Sequence, residues 1–256
     1  MGLKNKVAII TGGARGIGAA ISIALAKEGV NIVIADVIPA NETAKIIRNA
    51  GVRCLEIKTD VSQKADADNL AAQTIKEFGK IDILVNNAGV IVDAAFMDTK
   101  EQDWDHLFSI NVKGIYLVTR AVAPHMMAVR QGKIVNIASR GGKEGQPLLS
   151  CYCSTKFAVI GLTQAIAKEF AEYNINVNDI CPGLLWTEIM KQRMDARSKT
   201  QGLPPEVIFK KLVDGIPLKR PQTPEDVGKA VIFLCSEMAI NITGESLNVT
   251  GGLRMD

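Results

Sequence analysis

Histidine is scarce in this chain: His106 and His125 are the only two. Neither has a cysteine or carboxylate at ligand spacing, so no metal site is expected. Cysteine is limited to Cys54, Cys151, Cys153, Cys181 and Cys235, with no C-x-x-C pair. That pattern excludes a thiol redox motif, and a chain of 256 residues needs no disulfide staples. Cys151 and Cys153 are read as space-filling side chains. Charge of one sign is also lacking. Lys and Arg number 30 against 27 Asp and Glu, a net charge of +3 spread evenly, which argues against nucleic acid as a partner. No apolar stretch approaches the ~20 residues that cross a bilayer. The opening MGLKNK has no signal-peptide h-region, and Lys6 stands where a myristoylation motif at Gly2 wants Ser or Thr. A cytoplasmic protein without membrane association is expected.

Apolar residues, by contrast, make up 47% of the chain, enough for a sizeable core. They fall in short runs that alternate with helical spacing. Val7–Ile10, Asn31–Ala35, Arg53–Lys58, Ile81–Val85, Lys133–Ala138, Ile175–Ile180 and Ser246–Val249 read as strands. Helices are expected over Gly16–Glu28, Ala44–Ala50, from an N-cap at Ser62 to Phe78, over Glu101–Val129 and over Ser150–Glu172. Strands apolar throughout imply burial on both faces, and strands alternating with helices imply parallel pairing. The expected fold is α/β: a doubly wound, Rossmann-type parallel sheet of about seven strands, in one domain over residues 1–256. Residues 186–216 break the rhythm with a polar helix, then Gly202-Leu203-Pro204-Pro205 and a second helix, as a substrate lid would. Thr223-Pro224-Glu225-Asp226 reads as a helix start: cap, proline, acids.

Ligands of doubly wound sheets sit beyond the carboxyl ends of the strands. Asp36, Asp60, Asn87, Ser139, Pro182 and a glycine loop all fall there. The loop is Thr11-Gly12-Gly13-Ala14-Arg15-Gly16-Ile17-Gly18. Gly12 permits a tight turn, Gly16 a close approach of backbone to pyrophosphate, and Gly18 close packing of helix on strand. The helix N-terminus offers N–H groups and positive dipole to phosphate. Asp36 can accept both ribose hydroxyls and repels a 2′-phosphate, which favours NAD over NADP; Arg15 in the loop could pair with that phosphate. Tyr152 and Lys156 lie four apart on one helix face. A neighbouring ammonium favours a phenolate, so the pair can act as acid and base. Ser139, thirteen residues before the tyrosine, ends a strand and can hydrogen-bond the reacting oxygen.

These pieces resemble the short-chain dehydrogenase/reductase family over nearly the whole chain. The matching segments are TGGARGIG at 11–18, Asp36, Asp60-Val61, NNAG at 86–89, Asn111, Ser139, YCSTK at 152–156 and PGLLWT at 182–187. The resemblance implies Tyr152 as proton donor and acceptor. Lys156 would lower its pKa and bind the nicotinamide ribose. Ser139 would orient substrate, and Asn111 would hold a relay water. For the cofactor, NAD, it implies Gly12, Arg15, Gly16, Ile17 and Gly18 at the pyrophosphate. Asp60 and Val61 would flank adenine, and Asn87, Ala88 and Gly89 would line the dinucleotide. Pro182, Gly183, the Leu185 backbone and the Thr187 hydroxyl would sit at the carboxamide. Arg140, Gly142 and Thr250 depart from the usual pattern without removing a catalytic group. The resemblance also implies a homodimer or homotetramer through Glu101–Val129 and Ser150–Glu172.

The resemblance implies an NAD-dependent dehydrogenase acting on a small secondary alcohol or ketone, such as a polyol, sugar alcohol or hydroxyketone. A 3-oxoacyl thioester reductase would need a basic docking patch. Arg120, Arg130, Lys191, Arg193, Arg197 and Lys199 could supply it, or form a solvated face balanced by Glu188 and Asp195. A hydroxysteroid dehydrogenase would need Leu148, Leu149, Leu184, Trp186 and Met190 in one apolar wall. A non-catalytic dinucleotide sensor would have no need of Ser139, Tyr152, Lys156 and Asn111 together.

Overall fold

The computed structural model describes residues 2–256. Its centre is a seven-stranded, all-parallel sheet of β1 (Val7–Thr11), β2 (Asn31–Asp36), β3 (Cys54–Lys58), β4 (Ile83–Asn86), β5 (Gly132–Ile137), β6 (Ile175–Pro182) and β7 (Ser246–Val249). The spatial order is β3-β2-β1-β4-β5-β6-β7. The chain runs outward from β1 to β3, then returns to pair β4 on the other side of β1. That reversal leaves a crevice beyond the ends of β1 and β4.

The apolar runs are continuous because the sheet is covered twice. In β1, Ala8 and Ile10 face one core while Val7 and Ile9 face the other. The first core is closed by α1 (Gly16–Lys27), α2 (Asn41–Asn49) and α9 (Pro224–Cys235). The second is closed by α3 (Lys64–Phe78), α5 (Gly114–Ala128) and α6 (Ser150–Phe170). Ile9, Ile10, Ile32, Ile34 and Leu84 are all below 2% exposed. Truncation of any one to alanine would cost about 2–5 kcal/mol.

Three expectations need correction. Ser62 does not cap α3: the N-cap is Gln63, and the Ser62 hydroxyl donates to Asp60 Oδ1 instead. Residues 101–129 do not form one helix. They divide into α4 (Glu101–Phe108), a π-helical turn (Ser109–Lys113) and α5. The first apolar stretch after α3 enters the sheet only at Ile83, because Ile81 and Asp82 precede the ladder, with the Asp82 carboxylate accepting the Val7 N–H. The expected start of α9 is present in full: Thr223 Oγ1 accepts from Asp226 N and the Asp226 carboxylate accepts from Thr223 N. Residues 188–214 form α7 (Glu188–Gln201) and α8 (Pro205–Asp214), outside both cores.

Candidate active site

The glycine loop closes on itself. Gly12, at φ +62°, donates its N–H to Ala35 O at the end of β2. A Cβ on Gly18 would stand 2.0 Å from Gly12 O and 2.6 Å from Asn87 Nδ2. Gly18 is therefore required where the first turn of α1 meets the loop, rather than where helix meets strand. Gly18→Ala is expected to destabilise by about 1–3 kcal/mol through overpacking, read as a melting midpoint several degrees lower. An unchanged midpoint would show that the loop yields freely. Asn87 braces the same loop, donating to Thr11 O at 2.9 Å and Gly12 O at 3.0 Å. Thr11 Oγ1 accepts the N–H groups of Asn87 and Ala88, both at 3.0 Å. A single threonine at a strand end carries no sequence signal of that role.

This rim fits an anionic dinucleotide. Gly16 has φ +59°, with no heavy atom within 4 Å of where a Cβ would stand. Arg15 caps α1 through backbone alone, and no acid occupies the first turn. The first N–H groups and the positive helix end are thus left for phosphate. Arg15 is exposed, and Ile17 leans on the first core. Asp36 at the end of β2 accepts Ala14 N at 2.9 Å and Ile38 N at 3.2 Å. Asp60 Oδ1 accepts from the Ser62 N–H and hydroxyl. Val61 is 7% exposed and packs on Gly114, so its side chain belongs to the core. Gly183 follows β6 and meets Gln222, whose Oε1 accepts Leu184 N at 2.9 Å. Leu185 pairs with Gln222 in an isolated bridge, and Thr187 Oγ1 caps α7 by accepting Met190 N at 3.3 Å. Gln222 lies some forty residues from the segment it holds, beyond the reach of local pattern.

Ser139, Tyr152, Lys156 and Asn111 come together at the end of β5. Lys156 Nζ lies 5.7 Å from the centroid of the Tyr152 ring and donates to Ile137 O at 2.8 Å. Burial pushes the Lys156 ammonium down from 10.5 to about 8, against the opposing pull of Cys181 and Asp179. Burial likewise raises the Tyr152 phenol; the Ser139 hydroxyl and the Arg193 charge pull it back. Desolvation therefore outweighs the neighbouring charges in the chain alone. Ser139 Oγ accepts Gly141 N at 3.0 Å, which fixes its rotamer. Gly89 closes the group: a Cβ there would lie 3.3 Å from Asn111 Oδ1 and 3.7 Å from Lys156 Nζ.

Asn111 sits in the π-helical turn, fully buried. Its Oδ1 accepts Val90 N at 2.8 Å, and its Nδ2 donates to Val90 O at 2.9 Å and Thr155 Oγ1 at 3.1 Å. Both amide hydrogens are committed. The side chain thus clamps the segment after β4. π-bulges frequently mark functional positions.

The charged face expected on α7 is only partly solvated. Lys191 pairs with Glu188 at the surface. Arg193 and Arg197 instead turn inward onto Asp93. The proposed apolar wall is also divided: Leu149 and Leu184 are buried, while Trp186 packs at a tilt of 54° against Phe209 of α8, with centroids 4.2 Å apart. Cys151 and Cys153 are buried, and burial raises both thiols, the opposite of a reactive cysteine. No helix among the described residues is long and apolar enough to cross a membrane.

A family profile described as short chain dehydrogenase matches residues 6–198. The L-2,3-butanediol dehydrogenase of Corynebacterium glutamicum is 38% identical, covering 97% of this chain and 98% of that protein. The 3-oxoacyl-acyl-carrier-protein reductase FabG of Staphylococcus epidermidis is 34% identical, covering 98% and 100%. Among solved structures, NAD+-bound xylitol dehydrogenase superposes with a TM-score of 0.94 at 30% identity, covering 98% of this chain and 100% of that one. An actinorhodin polyketide ketoreductase with NADPH gives 0.93 at 32%, covering 97% of each. With its doubly wound sheet and these matches over nearly its full length, the chain is an oxidoreductase of the short-chain dehydrogenase family.

Proposed function

We propose that the protein is an NAD-dependent dehydrogenase of small secondary alcohols, with polyols, sugar alcohols and hydroxyketones as the substrate class. The observation that carries the chemistry is the convergence of Ser139, Tyr152 and Lys156 beside Gly89. In alcohol oxidation, the Tyr152 phenolate takes the hydroxyl proton as the C–H bond breaks, and the alcohol becomes a ketone. A nicotinamide dinucleotide held beside them would supply the two-electron acceptor for the hydride. Ser139 holds the substrate oxygen in line with the phenol. Lys156 keeps positive charge near the Tyr152 ring and would reach the ribose of a bound dinucleotide. Asn111 sets the segment after β4 against them. Gly12, Gly16 and the first turn of α1 hold the pyrophosphate. The substrate class is supported by the butanediol and xylitol dehydrogenases among the similar proteins.

NAD is preferred because of Asp36. A like charge brought to about 4 Å costs roughly 4 kcal/mol at an effective dielectric near 20, whereas an exposed pair with Arg15 returns at most about 1 kcal/mol. The wild type should therefore use NAD at least a hundredfold more efficiently than NADP. Asp36→Asn, which keeps one acceptor for the loop N–H groups, should narrow the gap to within tenfold. Comparable wild-type efficiency with both cofactors would refute the assignment.

The thioester-reductase alternative has a relative behind it, but its basic patch loses Arg193 and Arg197 to Asp93. A panel of vicinal diols, polyols, hydroxysteroids and 3-hydroxyacyl thioesters, each with NAD and NADP, separates these readings. Turnover of thioesters with NADP alone would overturn ours. We also propose a homo-oligomer, because Trp104, Tyr116 and Phe157 remain exposed on α4, α5 and α6. A monomer in sedimentation at micromolar concentration would contradict that.

A further inference from the structure

Arg193 and Arg197 lie four residues apart on α7 and so share one face. Both reach Asp93, in the segment after β4. Arg193 grips the carboxylate with two nitrogens, Nε on Oδ2 and Nη2 2.9 Å from Oδ1. Arg197 Nη2 adds a third bond, 3.1 Å to the same Oδ1. The three side chains are only 16%, 23% and 24% exposed, so water screens this cluster far less than a surface pair. Burial alone would raise the Asp93 carboxyl; the two guanidiniums outweigh it and hold the group below the usual carboxylate range. The cluster stays charged across neutral pH.

The anchor is fixed on both sides. Asn111 clamps Val90 through main-chain N and O. Ala94 N donates to Leu148 O at 2.9 Å, two residues before α6 and its Tyr152. Leu148 adopts φ +67°, an uncommon conformation for a side chain of that size. Next to Arg193, Met194 is fully buried, so α7 lies against the body of the protein on the same side. Arg197 Nε is buried there without a partner.

We propose that Asp93 is a positioning residue for turnover: with Arg193 and Arg197 it forms a latch that holds α7 against the segment after β4. The inference rests on the reading of Tyr152 as acid and base. The Tyr152 phenol has Lys156 Nζ 5.7 Å from its ring centroid and is influenced by the Ser139 hydroxyl, by Arg193 of α7 and by the Cys153 and Cys181 thiols. Arg193 and Lys156 are the cations of that set, and of the two Arg193 travels with α7. The Arg193 charge favours the phenolate. Opening the latch would free α7, and the Arg193 charge with it, from the segment that Asn111 clamps.

Two arginines on one carboxylate allow the roles to be separated. Arg197→Met weakens the latch and leaves the charge; Arg193→Met weakens the latch and removes the charge. Asp93→Asn and Arg197→Met should raise substrate KM at least tenfold, and α7 amides should exchange hydrogen at least tenfold faster, with β1 and β4 unchanged. Arg193→Met should add an upward shift of at least half a pH unit in the pH profile of kcat/KM for alcohol oxidation, because loss of a cation raises an acid's pKa. Arg193→Lys should restore the profile. Unchanged exchange in α7 of Asp93→Asn would refute the latch, whether or not any alcohol is turned over. Identical pH profiles for Arg193→Met and Arg197→Met would refute the charge role. A wild type inert toward every alcohol would sink the proposed function alone, since exchange reads the latch without chemistry.

Discussion

Tyr152→Phe is expected to lower kcat at least a thousandfold, with melting midpoint and NAD affinity little changed. General acid–base catalysis by one positioned group contributes about 10²–10⁴ in rate, and no neighbour can take over. Ser139 Oγ is held by Gly141 N, and a hydroxyl has no useful basicity at neutral pH. Lys156 Nζ is tied to Ile137 O at 2.8 Å, 5.7 Å from the ring centroid. The proton of the alcohol would have nowhere to go while hydride leaves. Folding should tolerate the change, because phenylalanine keeps the ring and loses one hydrogen bond, worth about 1 kcal/mol. Cofactor affinity should come mainly from the glycine loop after β1, separated from β5 by β4. Steady-state turnover with calorimetric NAD titration of the same preparation tests all three. Retention of more than a tenth of wild-type kcat would remove Tyr152 from the mechanism. Loss of NAD binding would mean that the ring, not the proton, is what the site requires.

The sheet was legible because burial on both faces leaves uninterrupted runs such as VAIIT and NIVIAD, which few other environments demand. The rim was legible for a related reason: the candidate residues stand where those runs stop, at the carboxyl ends of the strands. Features built from chain-distant pairs were not. Spacing over 101–129 continues through the π-helical turn, since one extra residue per turn alters no propensity; what sustains it is Asn111 gripping Val90 across twenty-one residues. Ser62 looked like a cap because a serine precedes a helix, but Asp60, two residues earlier, is the nearer acceptor. The inward turn of Arg193 and Arg197 was invisible for the same reason. Glu188 and Asp195 lie close in sequence and suggested a solvated face, whereas the true counter-ion is a hundred residues away. Local pattern reports which side chains could be paired, and only the fold decides with whom.

Lys156→Met should abolish activity and yet raise the melting midpoint at pH 7. Lys156 is 5% exposed, and burial lowers its ammonium from 10.5 to about 8. A depression of that size corresponds to ~3 kcal/mol of stability lost at pH 7. The sign follows from proton counting. Between pH 8 and 10.5 the unfolded chain holds the Lys156 proton and the folded chain releases it, so this group's contribution to stability rises with pH through that window. Below pH 8 both states are protonated and the penalty is complete. Methionine removes the penalty and fills a similar volume, and loses the bond to Ile137 O, worth about 1 kcal/mol. A net gain on the order of 2 kcal/mol remains, roughly 4–8 °C in a chain of this size. The advantage over wild type should shrink from pH 8 upward, cross zero between about pH 9 and 10, and become a small deficit by 10.5, where only the lost bond to Ile137 O still counts. Melting curves of both proteins at pH 7, 8, 9 and 10 test this directly. A lower midpoint for the variant at pH 7, or an advantage that grows with pH, would show that the ammonium is stabilised where it lies. The expected pattern instead makes Lys156 a charge the fold tolerates at a cost because Tyr152 needs it there, the usual exchange of stability for activity at a working site.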